Sequence, residues 1–190
     1  MKFVKLVTLC SVLAILQGCA AVAVVGATGA VTSSAQDRRT LGAQIDDNSI
    51  ELKAEIALQK LKNLSDNSRI VIKSVNGNLL VVGQSPNAGA ITLAVNALKS
   101  IEGVKRVHNQ VKVGNTTSMS TRTMDTWITT RVKLKLLTEE NLNSNNISVL
   151  TENAEVFLMG LVSEDEATKA AEVARNISGV AKVIKVFEIL

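Results

Sequence analysis

The chain has no tyrosine, one tryptophan, three phenylalanines and a single histidine. Aromatic residues make up only 2% of it, so a core has to be built from Val, Ile, Leu and Ala. The overall hydrophobic content of 46% is sufficient for that. Cysteine occurs twice, as Cys10 and Cys19, and never after residue 19. This excludes a disulfide framework or a cysteine metal site in the body of the chain. Excess charge is also scarce. The formal net charge is +4, but Lys2 and Lys5 belong to an N-terminal leader; without them 19 basic residues face 17 acidic ones. That balance is too weak for a general nucleic-acid binder, and no nucleic-acid partner is expected. No catalytic constellation is visible, and no cofactor or metal is expected. His108 falls on a predicted strand, where a half-exposed structural role is the plain reading. Glu164, Asp165 and Glu166 form an acidic run, best read as the favourable first turn of a helix, with a metal site as the weaker reading.

What is present begins with the leader. Met1 to Lys5 is a short basic stretch, and Leu6 to Leu16 an apolar run of secretory length, too short to span a bilayer. It ends in Leu16-Gln17-Gly18-Cys19, which resembles a lipobox. The alternative is an ordinary signal peptide with an incidental cysteine. The lipobox resemblance implies a signal peptide over 1–18 and lipidation of Cys19. Ala20, which is not Asp, implies sorting to the outer membrane. Several acyl chains would hold firmly, where one alone is marginal. Residues 19–45 then read as a lipidated N-terminus and flexible tether, reaching roughly 30 Å in root-mean-square terms.

The rest of the chain carries an internal repeat. Asp47-x-x-Ile50 is matched by Asp125-x-x-Ile128, and Arg69–Ile72 by Asn146–Val149. Leu79–Gly83 is matched by Val156–Gly160, and Gly103-Val104-x-x-Val107 by Gly179-Val180-x-x-Val183. The offset stays between 76 and 78 residues. Each copy reads as helix, strand, strand, helix, strand. Ile128, Val132 and Leu136 form one apolar stripe, with Asp125 placed as N-cap. Asn76-Gly77 is a hairpin turn. Gly179 is expected to end the helix that starts at Glu164. Three strands make a core only if helices cover a face.

These landmarks resemble the BON domain, found in bacterial osmotic and nodulation proteins. The resemblance covers residues 46–114 and 124–190, with 115–123 as linker. It implies an α+β fold: two tandem domains, each αββαβ, with a three-stranded mixed sheet covered on one face by two helices. Ala154 stands where the first copy has Gly77, so the second turn is expected to differ. A lipobox followed by two such domains resembles the outer-membrane lipoproteins of this family. The implication is a non-enzymatic protein facing the periplasm from the inner leaflet of the outer membrane. It would bind anionic phospholipid such as phosphatidylglycerol or cardiolipin, be enriched at the division site and support envelope integrity.

The residues themselves single out the helix from Asp125 to Leu137. At about 100° per residue, Trp127, Leu134 and Leu137 fall opposite the core stripe. Lys133 borders them on one edge, Arg131 and Lys135 on the other. Residues 124–190 hold 7 basic and 10 acidic residues, yet this helix has no acid after Asp125. In the first copy Ser49 replaces Trp127, and Glu55 replaces Lys133. A tryptophan with basic neighbours suits an anionic bilayer surface. Trp127 could equally pack between the copies or meet a protein partner. The adaptor alternative, a chaperone-like role with the outer-membrane assembly machinery, stays open on the sequence alone. A division of labour is expected, with lipid contact in the second copy and a scaffold or partner surface in the first.

Overall fold

A computed structural model describes residues 37–61, 64 and 67–190. The leader, Cys19 and the tether up to residue 36 lie outside the described residues. The first copy comprises α1 (Leu41–Gln59), β1 (Arg69–Val75), β2 (Asn78–Ser85), α2 (Ala88–Lys99) and β3 (Arg106–Val113). The second comprises α3 (Met119–Leu137), β4 (Ile147–Glu152), β5 (Glu155–Val162), α4 (Glu164–Arg175) and β6 (Lys182–Ile189). In each sheet the central strand runs antiparallel to the first and parallel to the third. This is the expected α+β fold with two mixed sheets.

Both first helices begin earlier than their Asp-x-x-Ile motifs. Thr40 caps α1 by accepting from the Ala43 N–H, and Ser118 caps α3 by accepting from the Thr121 N–H. The expected N-cap role of Asp125 is therefore replaced by another. Asp125 is buried in the second turn of α3 and accepts from the N–H groups of Asn153 and Ala154, both at 2.8 Å. Asp47 does the same for Asn76 (2.8 Å) and Gly77 (2.9 Å), and also accepts from Ser74 Oγ at 2.7 Å. A carboxylate tolerates burial when charge-assisted bonds surround it. Three residues on, Ile50 lies against Gly103 and Ile128 against Gly179; a Cβ on either glycine would stand 3.1 or 3.3 Å from the isoleucine Cδ1. The repeated motif thus pins each helix to its hairpin turn and to the loop before the last strand. Gly179 does not end α4, which closes at Arg175 with Asn176 as C-cap.

The second hairpin turn also departs from expectation. Asn153 and Ala154 have φ of 51° and 61°, the same left-handed pair as Asn76 and Gly77 at 52° and 75°. Alanine is held in a conformation that glycine adopts without cost.

Each sheet is covered on both faces. Leu79 and Val81 point to the helices, joining Ile50, Ala54 and Leu98; Val156 and Leu158 join Ile128, Val132 and Leu136. The alternate residues Leu80 and Val82 form a third core with Phe157, Met159, Val186 and Val75. The two sheets therefore stack face to face, with helices outside, in four layers. Polar bonds rim this seam. Lys112 Nζ meets Glu155 at 2.7 Å, and Asn78 Nδ2 donates to Glu188 at 3.0 Å. Strand register makes Asn78 equivalent to Glu155, and Lys112 to Glu188. Exchanging the copies turns one contact into the other, as in a two-fold dimer. Buried Glu152 accepts from Gln84 Nε2 at 2.8 Å and faces Arg69 at 3.4 Å.

The end of the expected tether and part of the expected linker are ordered. The linker's Thr117 N–H donates to Gln84 Oε1, and Met119 already belongs to α3. Arg38 forks onto Glu166 at the start of α4, with one bond of 3.0 Å, while its N–H donates to Asn146 Oδ1 at 3.0 Å. The Arg38 bond is the main reason the Glu166 carboxyl is held below its usual range; burial opposes it, and bonds from Ser163 assist. The chain is thus fastened to the second copy before it enters the first.

Candidate functional site

The face of α3 opposite its core stripe gathers the residues singled out in the sequence. Ile128, Val132 and Leu136 are fully buried, whereas Trp127 is 44%, Leu134 55% and Leu137 66% exposed. Trp127 lies outside the seam between the sheets, whose apolar core comes from residues of β1, β2, β4, β5 and β6. The Arg131 guanidinium carbon stands 5.3 Å from the centroid of the Trp127 ring, one helical turn away. Arg131 thus flanks the apolar patch with its guanidinium stacked on the indole. Lys133 and Lys135 are exposed on either side. Among the described residues, none of these three cations pairs with a carboxylate.

Two further residues belong to this surface. Because α3 starts at Met119, Met119 and Met124 add exposed apolar area in its first two turns. The signal that could have located them is Ser118, three residues before Thr121 and a competent N-cap. Three outer threonines turn their hydroxyls inward: Thr123, Thr126 and Thr130 donate to the carbonyls of Met119, Arg122 and Thr126 at 2.9–3.0 Å. Those hydroxyls already have an acceptor, which lowers the polarity of the outer face. The arrangement is an interfacial one: an indole, flexible thioethers and leucines within a ring of unpaired cations.

Elsewhere the acidic run serves the helix. Glu166 completes a capping box with Ser163. Among the described residues no group of three or more His, Asp or Glu is arranged to hold a metal, and no helix is long and apolar enough to cross a membrane. His108 is half-buried on β3, paired in register with Leu80 and hence on the seam side of its sheet. Burial, and then the charge of Arg106, push its imidazole below the usual range.

Fold and surface together define a tandem module, and comparison with known proteins identifies it. The BON domain family matches residues 46–115 and 124–190. The chain belongs to the BON-domain family. It is 40% identical over 186 residues to the outer membrane lipoprotein DolP of Haemophilus influenzae, covering 98% of this chain and 96% of that protein. It is 40% identical over 150 residues to a 21 kDa hemolysin of Actinobacillus pleuropneumoniae, covering 79% and 77% of the two chains. The osmotically-inducible protein Y of Escherichia coli is 27% identical over 146 residues, covering 75% and 72%. The protein is a tandem BON-domain lipoprotein of the DolP type, placed at the outer membrane.

Proposed function

We propose that this lipoprotein binds anionic phospholipid in the inner leaflet of the outer membrane through the outer face of α3. The observation that carries the reading is Trp127, exposed beside a stacked Arg131 and two unpaired lysines. An indole sits at headgroup depth, and each cation near an anionic surface contributes about 1 kcal/mol. Trp127, Arg131, Lys133, Leu134, Lys135 and Leu137 form the site, with Met119 and Met124 extending it. Lipidated Cys19 supplies the permanent attachment, so the patch adds selectivity between lipids at high local concentration. Enrichment where anionic lipid gathers, as at the division site, and support of envelope integrity follow from that selectivity. No chemistry is assigned to the chain.

The test is flotation of residues 37–190 with vesicles of phosphatidylglycerol and cardiolipin, against vesicles of phosphatidylcholine, at low and high salt. Binding to the anionic vesicles alone, weakening with salt, is expected. Equal flotation with both, or none, overturns the reading; salt-resistant capture of a polypeptide instead favours the adaptor. For the anchor, Cys19→Ala is expected to lose labelled palmitate, and label retained on that variant would count against lipidation at this residue.

A further inference from the structure

The outer face of the first copy carries an apolar stripe of its own. Leu41, Ile45, Leu52 and Ile56 of α1 are 44–68% exposed, and at 100° per residue they lie within about 60° of arc, opposite buried Ile50 and Ala54. Beside the stripe opens a cleft of about 470 Å³, whose lining includes Asp46, Ser49, Ile50, Lys53, Gly77 and Gly103. Where the first copy has Ser49 at this rim, the second has Trp127. Asp46 and Lys53 border the stripe on the cleft side, Gln44 and Glu55 on the other. Among the described residues neither Asp46 nor Glu55 pairs with a cation. The outer face of α3 is the complement of this surface. Its apolar residues run between Arg131 and Lys135 on one edge and Lys133 and Arg122 on the other. Arg122 has no carboxylate partner either among the described residues, and its Nε is buried without an acceptor.

We infer that copies of this chain associate head to tail, the α3 of one docking antiparallel on the α1 of the next. The register that sets Asp46 opposite Arg131 satisfies the other positions as well. On the cleft side Lys53 then meets Met124. On the far edge Glu55 meets Arg122, and Gln44 meets Lys133. Each of these acids faces a cation, and no like charges are opposed. The apolar residues interleave: Leu41 enters between Leu134 and Leu137, Ile45 between Thr130 and Leu134, Leu52 between Thr123 and Trp127, and Ile56 between Met119 and Thr123. Trp127 arrives at the mouth of the cleft beside Ser49. In a parallel arrangement the edges exchange, and Trp127 falls on the side away from the cleft.

The faces of α1 and α3 lie on opposite outer layers of the stack, so one chain cannot satisfy its own. A contact between two different surfaces does not close on itself, and chains of copies result. Copies held on one membrane turn α3 the same way, which is the orientation that a head-to-tail contact needs. A copy seated on one already at the membrane stands about 40 Å higher, since the stack has four layers of about 10 Å. The chain between Cys19 and Asp37 can span about 60 Å. The contact uses the face assigned to lipid but does not rest on that reading; a copy offers the face to lipid or to a neighbour.

The experiment is disulfide crosslinking of the full-length protein in its native membrane, with the wild type setting the background from Cys10 and Cys19. Asn48→Cys and Thr130→Cys in one chain face each other across the middle of the contact. They are expected to give a ladder of dimers, trimers and longer species, while either substitution alone stays at background. Leu41→Cys with Thr123→Cys stand about 20 Å apart in this register and should also stay at background. On the chain that gives the ladder, Asp46→Arg is expected to reduce it about tenfold, and so is Arg131→Asp, because each opposes like charges. The two together restore it. Asp46→Arg should leave flotation with anionic vesicles unchanged, so loss of the ladder and loss of lipid binding are read separately. No ladder from Asn48→Cys with Thr130→Cys, a dimer from either alone, an equal ladder from Leu41→Cys with Thr123→Cys, or no restoration by the paired charge exchange each overturns the inference.

Discussion

At Ala154 the chain holds an L-residue in the left-handed region, where its equivalent in the first copy is Gly77. The turn keeps this shape because Asp125 draws both N–H groups of Asn153 and Ala154 onto one carboxylate. Left-handed backbone disfavours alanine by roughly 1–2 kcal/mol, partly offset by the greater freedom of glycine in the unfolded chain. Ala154→Gly is therefore expected to stabilise the fold by about 1 kcal/mol, raising the melting temperature by about 3 °C. An equal or lower melting temperature would show that the turn is relaxed with alanine. His108 makes a second prediction at this scale. Its imidazole is held below the reference value of 6.5 in the folded chain by burial and by Arg106. The unfolded chain then takes up a proton more readily than the folded one as pH falls through about 6.5. Stability from this group is intact above that pH and declines below it. Chemical denaturation at pH 7.5 and 5.5 should show the decline, and His108→Gln should flatten it. The Glu166 contribution is lost only at lower pH, below its reference value of 4.5, so the two windows are separate.

At the scale of the element, α3 carries two faces of different purpose. Trp127→Glu is expected to change stability by less than about 0.5 kcal/mol, as exposed substitutions usually do. It should abolish flotation with anionic vesicles, because it removes the indole and adds a repelled charge. Thermal melting and flotation of the same variant are the measurement; a collapsed melt would mean that Trp127 is structural. Much of this element was legible in the sequence. The four-residue recurrence of Ile128, Val132 and Leu136 fixed the buried face, and Trp127, Leu134 and Leu137 had to fall opposite. The helix start was not legible from the repeat. Asp125 has the residue type of an N-cap, and only the hairpin that folds back onto it shows what its carboxylate holds. The contact of Arg131 with the Trp127 ring was likewise not legible, since sequence spacing gives the azimuth of a side chain and not its rotamer.

For the whole molecule, the decisive layer is the seam between sheets. Alternation along β5 pointed to one buried face, and it is correct for Val156 and Leu158. The unbroken runs Leu79–Val82 and Val156–Met159 are the mark of strands buried on both sides. What buries the second face could not be read, because it is the other copy. With a shared core the copies should unfold together. Phe157→Asp is expected to destabilise by about 3–5 kcal/mol and to melt both copies in one transition. Residue-resolved hydrogen exchange would reveal it; retained protection in α1 and β1 would mean that the first copy stands alone.

The interchangeable contacts at that seam, Asn78 with Glu188 and Lys112 with Glu155, have a consequence in terms of descent. They match what the fusion of a symmetric pair of identical modules into one polypeptide would leave. Fusion makes the pairing permanent and removes the requirement that both halves stay alike. The inner positions have stayed bulky and apolar, Leu80 with Phe157 and Val82 with Met159, since each constrains the other. The outer helices answer to nothing across the seam. They differ in chemistry at equivalent positions, Ser49 against Trp127 and Glu55 against Lys133.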